Sequence, residues 1–171
     1  MTKNALWLCL PVTPRIKSPF SNSIDIVFTS YGTVGWLPDS NKWASVISHF
    51  LKLSGTFLFA EFHPAVWMFD DSVEKVIYRY FNSDPIIEEE EGTYTDKSAS
   101  IKETCITWNH GLSEIFNSLK NNNLIVEEFQ EYDYSPYNCF QNLDEFEKGK
   151  FRFKEHGDKI PMVYLLKATK I

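Results

Sequence analysis

The chain has 171 residues, 43% of them hydrophobic and 16% aromatic, enough for one domain with a substantial core. Lys and Arg number 17 against 23 Asp and Glu, a formal net charge of −6. That balance disfavours nucleic acid as the main partner, since phosphate contacts need clustered cations. Cys9, Cys105 and Cys139 fit no CxxC or Cys/His ligand spacing, which argues against a metal centre and suits a reducing cytoplasm.

Ala5, Leu6, Trp7, Leu8, Cys9 and Leu10 form an apolar run cut short by Pro11 and Pro14. It is too short to span a membrane and reads as a buried strand. Residues 11–23 are rich in proline and serine and read as a loop. Residues 24–29 form a second apolar strand, which stops abruptly at Ser30, Tyr31 and Gly32.

Over 39–53, Trp43, Val46, Ile47, Phe50 and Leu51 recur at the spacing of a helix with one buried face. Asp39 or Ser40 can cap its start, and Gly55 can end it in the left-handed conformation. Residues 56–62 are a near-continuous apolar run, as in a strand covered on both faces. Strand, helix and strand make a βαβ unit, which sets 24–29 parallel to 56–62. Ligands in such sheets bind just past the strands' carboxyl ends. Here those ends are Ser30-Tyr31-Gly32 and Glu61-Phe62-His63.

Residues 65–109 differ in character and read as an insertion, a small antiparallel cap over that edge. Within it, 76–81 could end a helix or form a strand, and 101–108 reads as a strand. Glu88, Glu89, Glu90 and Glu91 form an acidic run that suits a solvated face better than a metal site.

Residues 111–122 are a second helix, with Leu112, Ile115, Phe116 and Leu119 as its stripe and Asn121-Asn122-Asn123 as its stop. Residues 124–132 read as a strand, and 133–159 as a long loop with a short helical turn near 143–147. Residues 162–169 form the last strand, with Pro161 at its start.

In this order the elements resemble the carboxyl-terminal half of a class I S-adenosylmethionine-dependent methyltransferase of the small-molecule type. Asp25-Ile26-Val27-Phe28 and the loop Thr29-Ser30-Tyr31-Gly32 look like the family's fourth strand and its exit. Phe50-Leu51-Lys52-Leu53-Ser54-Gly55-Thr56 looks like its helix exit into the fifth strand. Trp108-Asn109-His110-Gly111-Leu112-Ser113, with 124–129 beyond, is similar to its His-led helix and sixth strand. Residues 161–168 look like its seventh.

The resemblance implies an α/β fold, a partial Rossmann-like sheet that is mostly parallel, with an antiparallel last strand and an inserted antiparallel cap. It also implies methyl transfer from S-adenosylmethionine to a small molecule, by in-line displacement that rests on positioning and desolvation.

One departure is large. The seven glycines form no G-x-G-x-G loop. Pro11 and Val12 stand where an acid beside the adenine belongs. Residues 1–171 therefore read as a single, N-terminally incomplete domain, with 65–109 as a substrate cap. Weak or absent cofactor binding is expected. The alternative is a non-catalytic module that associates through an open sheet edge at 5–10 or 24–29. A half-Rossmann oxidoreductase would need the same missing loop.

The resemblance places Ser30, Tyr31 and Gly32 on the cofactor, with Tyr31 near the methyl group. A plain strand-to-loop turn is the alternative. His63 could be a general base or a local hydrogen-bonding group beside Trp67. His110 could face the acceptor or simply start a helix. Asp133, Tyr134, Tyr137 and Asn138 could bind substrate polar groups, or form a turn set by Pro136. Trp36, Trp67, Met68, Phe69 and Trp108 could line an aromatic pocket, although aromatic residues more often serve the core.

Overall fold

The computed structural model describes residues 5–7, 21–81, 84–91 and 102–171. In chain order the elements are β1 (Ala5–Trp7), β2 (Ile24–Thr29), α1 (Ser40–Phe50), β3 (Leu51–Phe62), β4 (Ile86–Glu91), β5 (Lys102–Thr107), α2 (Leu112–Asn121), β6 (Leu124–Tyr132), β7 (Leu143–Glu147), β8 (Lys150–Phe153) and β9 (Val163–Lys170). Short 3-10 turns lie at Val34–Trp36 and Val66–Met68.

The main sheet has the order β1-β2-β3-β9-β6. β1 pairs parallel with β2, and β2 parallel with β3. β9 runs antiparallel to both β3 and β6, so it alone is reversed. This is the mixed sheet expected of the chain. Of the two open edges expected, the one at 5–10 falls on β1, which ends the sheet at Ala5–Trp7, and the one at 24–29 does not hold. Ile26, Val27 and Phe28 are paired on both sides, so β2 is not an open edge. The far edge, β6, carries Glu127, Glu128 and Glu131, charges that discourage pairing with a second chain.

Side chains alternate across β3, so its two faces meet different partners. Phe57, Phe59 and Glu61 share one face with Val27, Tyr164, Leu166 and Ala168. There α1 adds Trp43, Ala44, Ile47 and Phe50, and α2 adds Ile115 and Leu119. Among the described residues, sixteen buried aromatic and aliphatic groups form this cluster and exclude water along the helix-covered side. On the opposite face a second cluster, built on Phe62, Val66, Phe153, Met162 and Val163, covers the carboxyl end of the sheet.

Helix α1 starts on Asp39, whose side chain accepts the Lys42 N–H at 2.9 Å. It ends earlier than expected. Leu51 is already extended, and the chain passes directly into β3. Gly55 is therefore no helix cap. A Cβ there would come 2.8 Å from the Lys52 carbonyl oxygen and 3.3 Å from that of Asp25. The residue is glycine because two backbones crowd it, where the β2–β3 register shifts between Ile24 and Ile26. α2 does stop on asparagine, with Asn123 at φ 59°.

Two further expectations are corrected. Residues 76–81 form neither helix nor strand. Only Val76 makes an isolated bridge, to Phe69. The expected helical turn near 143–147 is strand β7, paired with β8 in an antiparallel hairpin. Its residues Leu143, Asp144, Glu145, Phe146 and Glu147 alternate in polarity only weakly, which hid the period-two signal. Within residues 65–109, β4 and β5 form an antiparallel pair. Residues 8–20, including Pro11 and Val12, and residues 92–101 lie outside the described residues.

Candidate functional site at the carboxyl rim

Because β2 and β3 are parallel neighbours, with Thr29 beside Phe59, their exits meet at one rim. The organising group there is Glu61. It continues the inward-facing series of Phe57 and Phe59, and is 3% exposed. One carboxylate oxygen accepts the Gly32 N–H and the Phe62 N–H, the latter at 2.8 Å. The other accepts the Thr33 N–H at 2.9 Å and the Val34 N–H at 3.3 Å. Thr33 Oγ1 in turn donates to the Ser30 carbonyl, which closes the loop. Burial pushes the Glu61 carboxyl up to about 7, against the pull of those four N–H groups.

Tyr31, carried on that loop, turns to the other face of the sheet. Its ring lies 5.3 Å from Phe62 and 5.6 Å, edge-on, from Tyr137. Trp67 packs on Phe62 at 5.7 Å and on Phe140 at 5.5 Å. Trp67 and Tyr137 stay 38% and 41% exposed, so the cluster presents aromatic surface at the rim. Partial burial, and then the Glu61 charge, push the Tyr31 phenol up.

His63 shares the rim with Tyr31 but lies on the helix-covered side of the sheet, against Tyr164. Its Nδ1 accepts the Ala65 N–H at 3.1 Å. Its Nε2 lies 3.0 Å from Glu131 Oε1, close but poorly aligned for a hydrogen bond. Burial pushes the imidazole down, and Glu131 partly opposes this. His110 is buried with both ring nitrogens engaged, Nδ1 at 2.7 Å from Glu114 and Nε2 at 2.7 Å from the Leu37 carbonyl. That geometry ties α2 to the approach of α1.

The residues expected after β6 divide. Tyr137 joins Tyr31. Asp133 pairs with Arg152 on β8, and Tyr134 packs between Tyr132 and Phe146. Asn138 is exposed, and Trp36 is 59% exposed on its 3-10 turn. The structure thus brings together Ser30, Tyr31, Gly32, Trp67 and Tyr137, and sets His63, His110, Asp133 and Tyr134 apart from them.

Glu61 and Asn109 were named in the sequence only as members of Glu61-Phe62-His63 and Trp108-Asn109-His110, without a role of their own, and Phe140 was not singled out. Asn109 is buried, and its Nδ2 donates to the Pro64 carbonyl at 3.1 Å. For Glu61 a signal existed: a carboxylate two residues beyond Phe57 and Phe59 occupies a core-facing position, where an unpaired charge is costly.

No protein-family model matches the sequence, and no curated protein matches it. Solved structures do. A Listeria monocytogenes protein classed as an S-adenosylmethionine dependent methyltransferase superposes with TM-score 0.59 and 19% identity, over 88% of this chain and 63% of its own. An S-adenosylmethionine dependent methyltransferase from Mesorhizobium loti gives 0.50 and 14%, over 88% and 64%. A methyltransferase from Methanosarcina mazei gives 0.51 and 10%, over 88% and 61%. The chain spans less than two thirds of the length of each. Among the described residues no helix is long and apolar enough to cross a membrane. Over the part it spans, the chain has the fold of class I S-adenosylmethionine-dependent methyltransferases.

Proposed function

We propose that this chain serves methyl transfer from S-adenosylmethionine to a small-molecule acceptor. The observation that carries this is the convergence of the β2 and β3 exits, with half-buried Tyr31 on the loop that leaves β2. The amides of Gly32, Thr33 and Val34 are already bound by Glu61, so they do not hold the cofactor's carboxylate. What remains fits the cofactor's cationic end. Nothing lies within 4 Å of where a Gly32 Cβ would stand, and Tyr31 offers an aromatic wall that favours a cation. When bound, the cofactor supplies an electrophilic methyl group on a sulfonium. Ser30, Tyr31 and Gly32 would orient it.

Trp67 and Tyr137 stand beside Tyr31 and would exclude water from an acceptor held at the rim. The β4–β5 pair would cap it. Its return is anchored by the Trp108 N–H on the Gly35 carbonyl at 2.8 Å. His63 would act as base through Nδ1, which holds the neutral ring's lone pair and accepts the Ala65 N–H, while the proton on Nε2 faces Glu131. Its buried, neutral ring can take a proton and pass one towards Glu131. His110, Asp133, Tyr134, Asn138 and Trp36 would act on the acceptor only through the segments they hold.

Calorimetric titration with S-adenosylhomocysteine tests the reading. Binding that Tyr31→Ala weakens about tenfold supports it. No binding up to about 1 mM, together with a stable dimer in sedimentation, replaces it with the non-catalytic module. Half-exposed Leu58 and Leu165, on the face opposite the helices, favour that second reading.

A further inference from the structure

We propose that Glu61 is the positioning residue of this rim. Ionised, it clamps the loop 30–34, and on taking up one proton it releases that loop. The functional meaning of this regulation rests on the methyl-transfer reading. The clamp itself does not.

An ionised carboxylate only accepts hydrogen bonds, and Glu61 has two N–H donors aimed at each oxygen. Three of the four come from consecutive residues of one loop. A proton from solvent turns one oxygen into a donor. Whichever oxygen takes it, an amide there faces an O–H instead of a lone pair and must move away. Gly32, at φ 74°, allows that movement, and Tyr31 precedes it directly.

The titratable groups facing Glu61 are Tyr31 from the loop and Tyr164 from β9, both acids. Among the described residues no Lys, Arg or His forms an ion pair with it. Among the described residues nothing else supplies a counter-charge, so a proton can. With the carboxyl held at about 7, both states are populated near neutral pH.

The test is amide NMR on the full chain from about pH 5.5 to about pH 8.5, a range that brackets the midpoint. The Gly32, Thr33, Val34 and Phe62 amide protons should titrate together, with the midpoint of the Glu61 carboxyl carbon. In Glu61→Gln that shared titration should vanish. Amides that stay flat while the Glu61 carbon moves overturn the proposal, as does a Glu61 carbon with no midpoint in the range. Both outcomes are read in the unaltered chain, so a variant that fails to fold leaves the test intact.

A second arm separates the two readings. Affinity for S-adenosylhomocysteine should fall up to about tenfold per pH unit below the midpoint. Amides that titrate without cofactor affinity at any pH keep the clamp and remove the methyl-transfer reading. Cofactor affinity unchanged through the midpoint overturns the control of the site by Glu61.

Discussion

Glu61 of β3 stands directly across from Tyr164 of β9, and both side chains are buried on the helix-covered face of the sheet. Among the described residues neither forms an ion pair with a cation, and burial pushes both acids up. Two weak acids so placed make the fold sensitive to pH through Glu61, which titrates in the neutral range.

The first prediction follows from that sign. Glu61 moves from an ordinary 4.5 to about 7 on folding, so between those values the folded chain holds a proton that the unfolded chain has lost. Its contribution is complete below pH 4.5 and disappears as pH rises through about 7. The full span is on the order of 3 kcal/mol. Urea unfolding at a series of pH values should show this decline, and Glu61→Gln should flatten it. A decline that persists unchanged in the variant would assign it elsewhere. The loop can loosen while the fold gains stability, because removing a buried charge outweighs one amide left without its acceptor.

His63 should act with the opposite sign. Its imidazole is depressed below the ordinary 6.5, so its contribution is present above pH 6.5 and is lost as pH falls through the folded value. The His63 ring proton should titrate below 6.5 in NMR, and His63→Gln should remove the acid-side loss of stability. If His63 is the base, that variant should also lower turnover by about 100-fold or more, with cofactor affinity unchanged. Equal losses in affinity and turnover would give His63 a packing role only.

The βαβ start was legible because the helical stripe of Trp43, Ile47 and Phe50 and the apolar runs on either side follow different periods. The solved structures bear out the resemblance at the level of fold. The β7–β8 hairpin was not legible. Its strands are short, and they are held by Ser135 pairing with Phe151 and by Arg152 reaching Asp133, contacts set by tertiary packing. At the site, Tyr31 could be read from its place after a strand. Its aromatic partners could not, because Phe62, Trp67, Tyr137 and Phe140 come from separate segments joined only in space. Glu61 could be placed at the strand end and on the face of Phe57 and Phe59, but its role could not, because its loop partners Gly32, Thr33 and Val34 come from a separate segment.

The Tyr31–Tyr137 contact should show up as a coupling energy. The rings meet edge-on at 5.6 Å, and each also packs on Phe62. A double-mutant cycle with Tyr31→Leu and Tyr137→Leu, read by urea unfolding, should return about 0.5–1.5 kcal/mol. Coupling near zero would mean that the two rings do not share a wall. Tyr31→Phe should keep the coupling, since the interaction belongs to the ring and not to the phenol oxygen.

Gly55 and Gly32 should respond differently to substitution, because they are glycine for different reasons. At Gly55 the obstacle is space: an added Cβ meets the carbonyl oxygens of Lys52 and Asp25 at 2.8 Å and 3.3 Å. Those backbone atoms belong to the β2–β3 junction and cannot turn aside as a side chain would. Gly55→Ala should therefore cost about 1–3 kcal/mol, and Gly55→Asn no less. At Gly32 the space is open and the obstacle is φ 74° alone. Gly32→Ala should cost about 1 kcal/mol, and Gly32→Asn less, since asparagine tolerates the left-handed region. Urea unfolding of the four variants gives the order. Asparagine rescuing position 55 as well as 32 would mean that the crowding at Gly55 relaxes, and that the β2–β3 register shift does not depend on a bare backbone there.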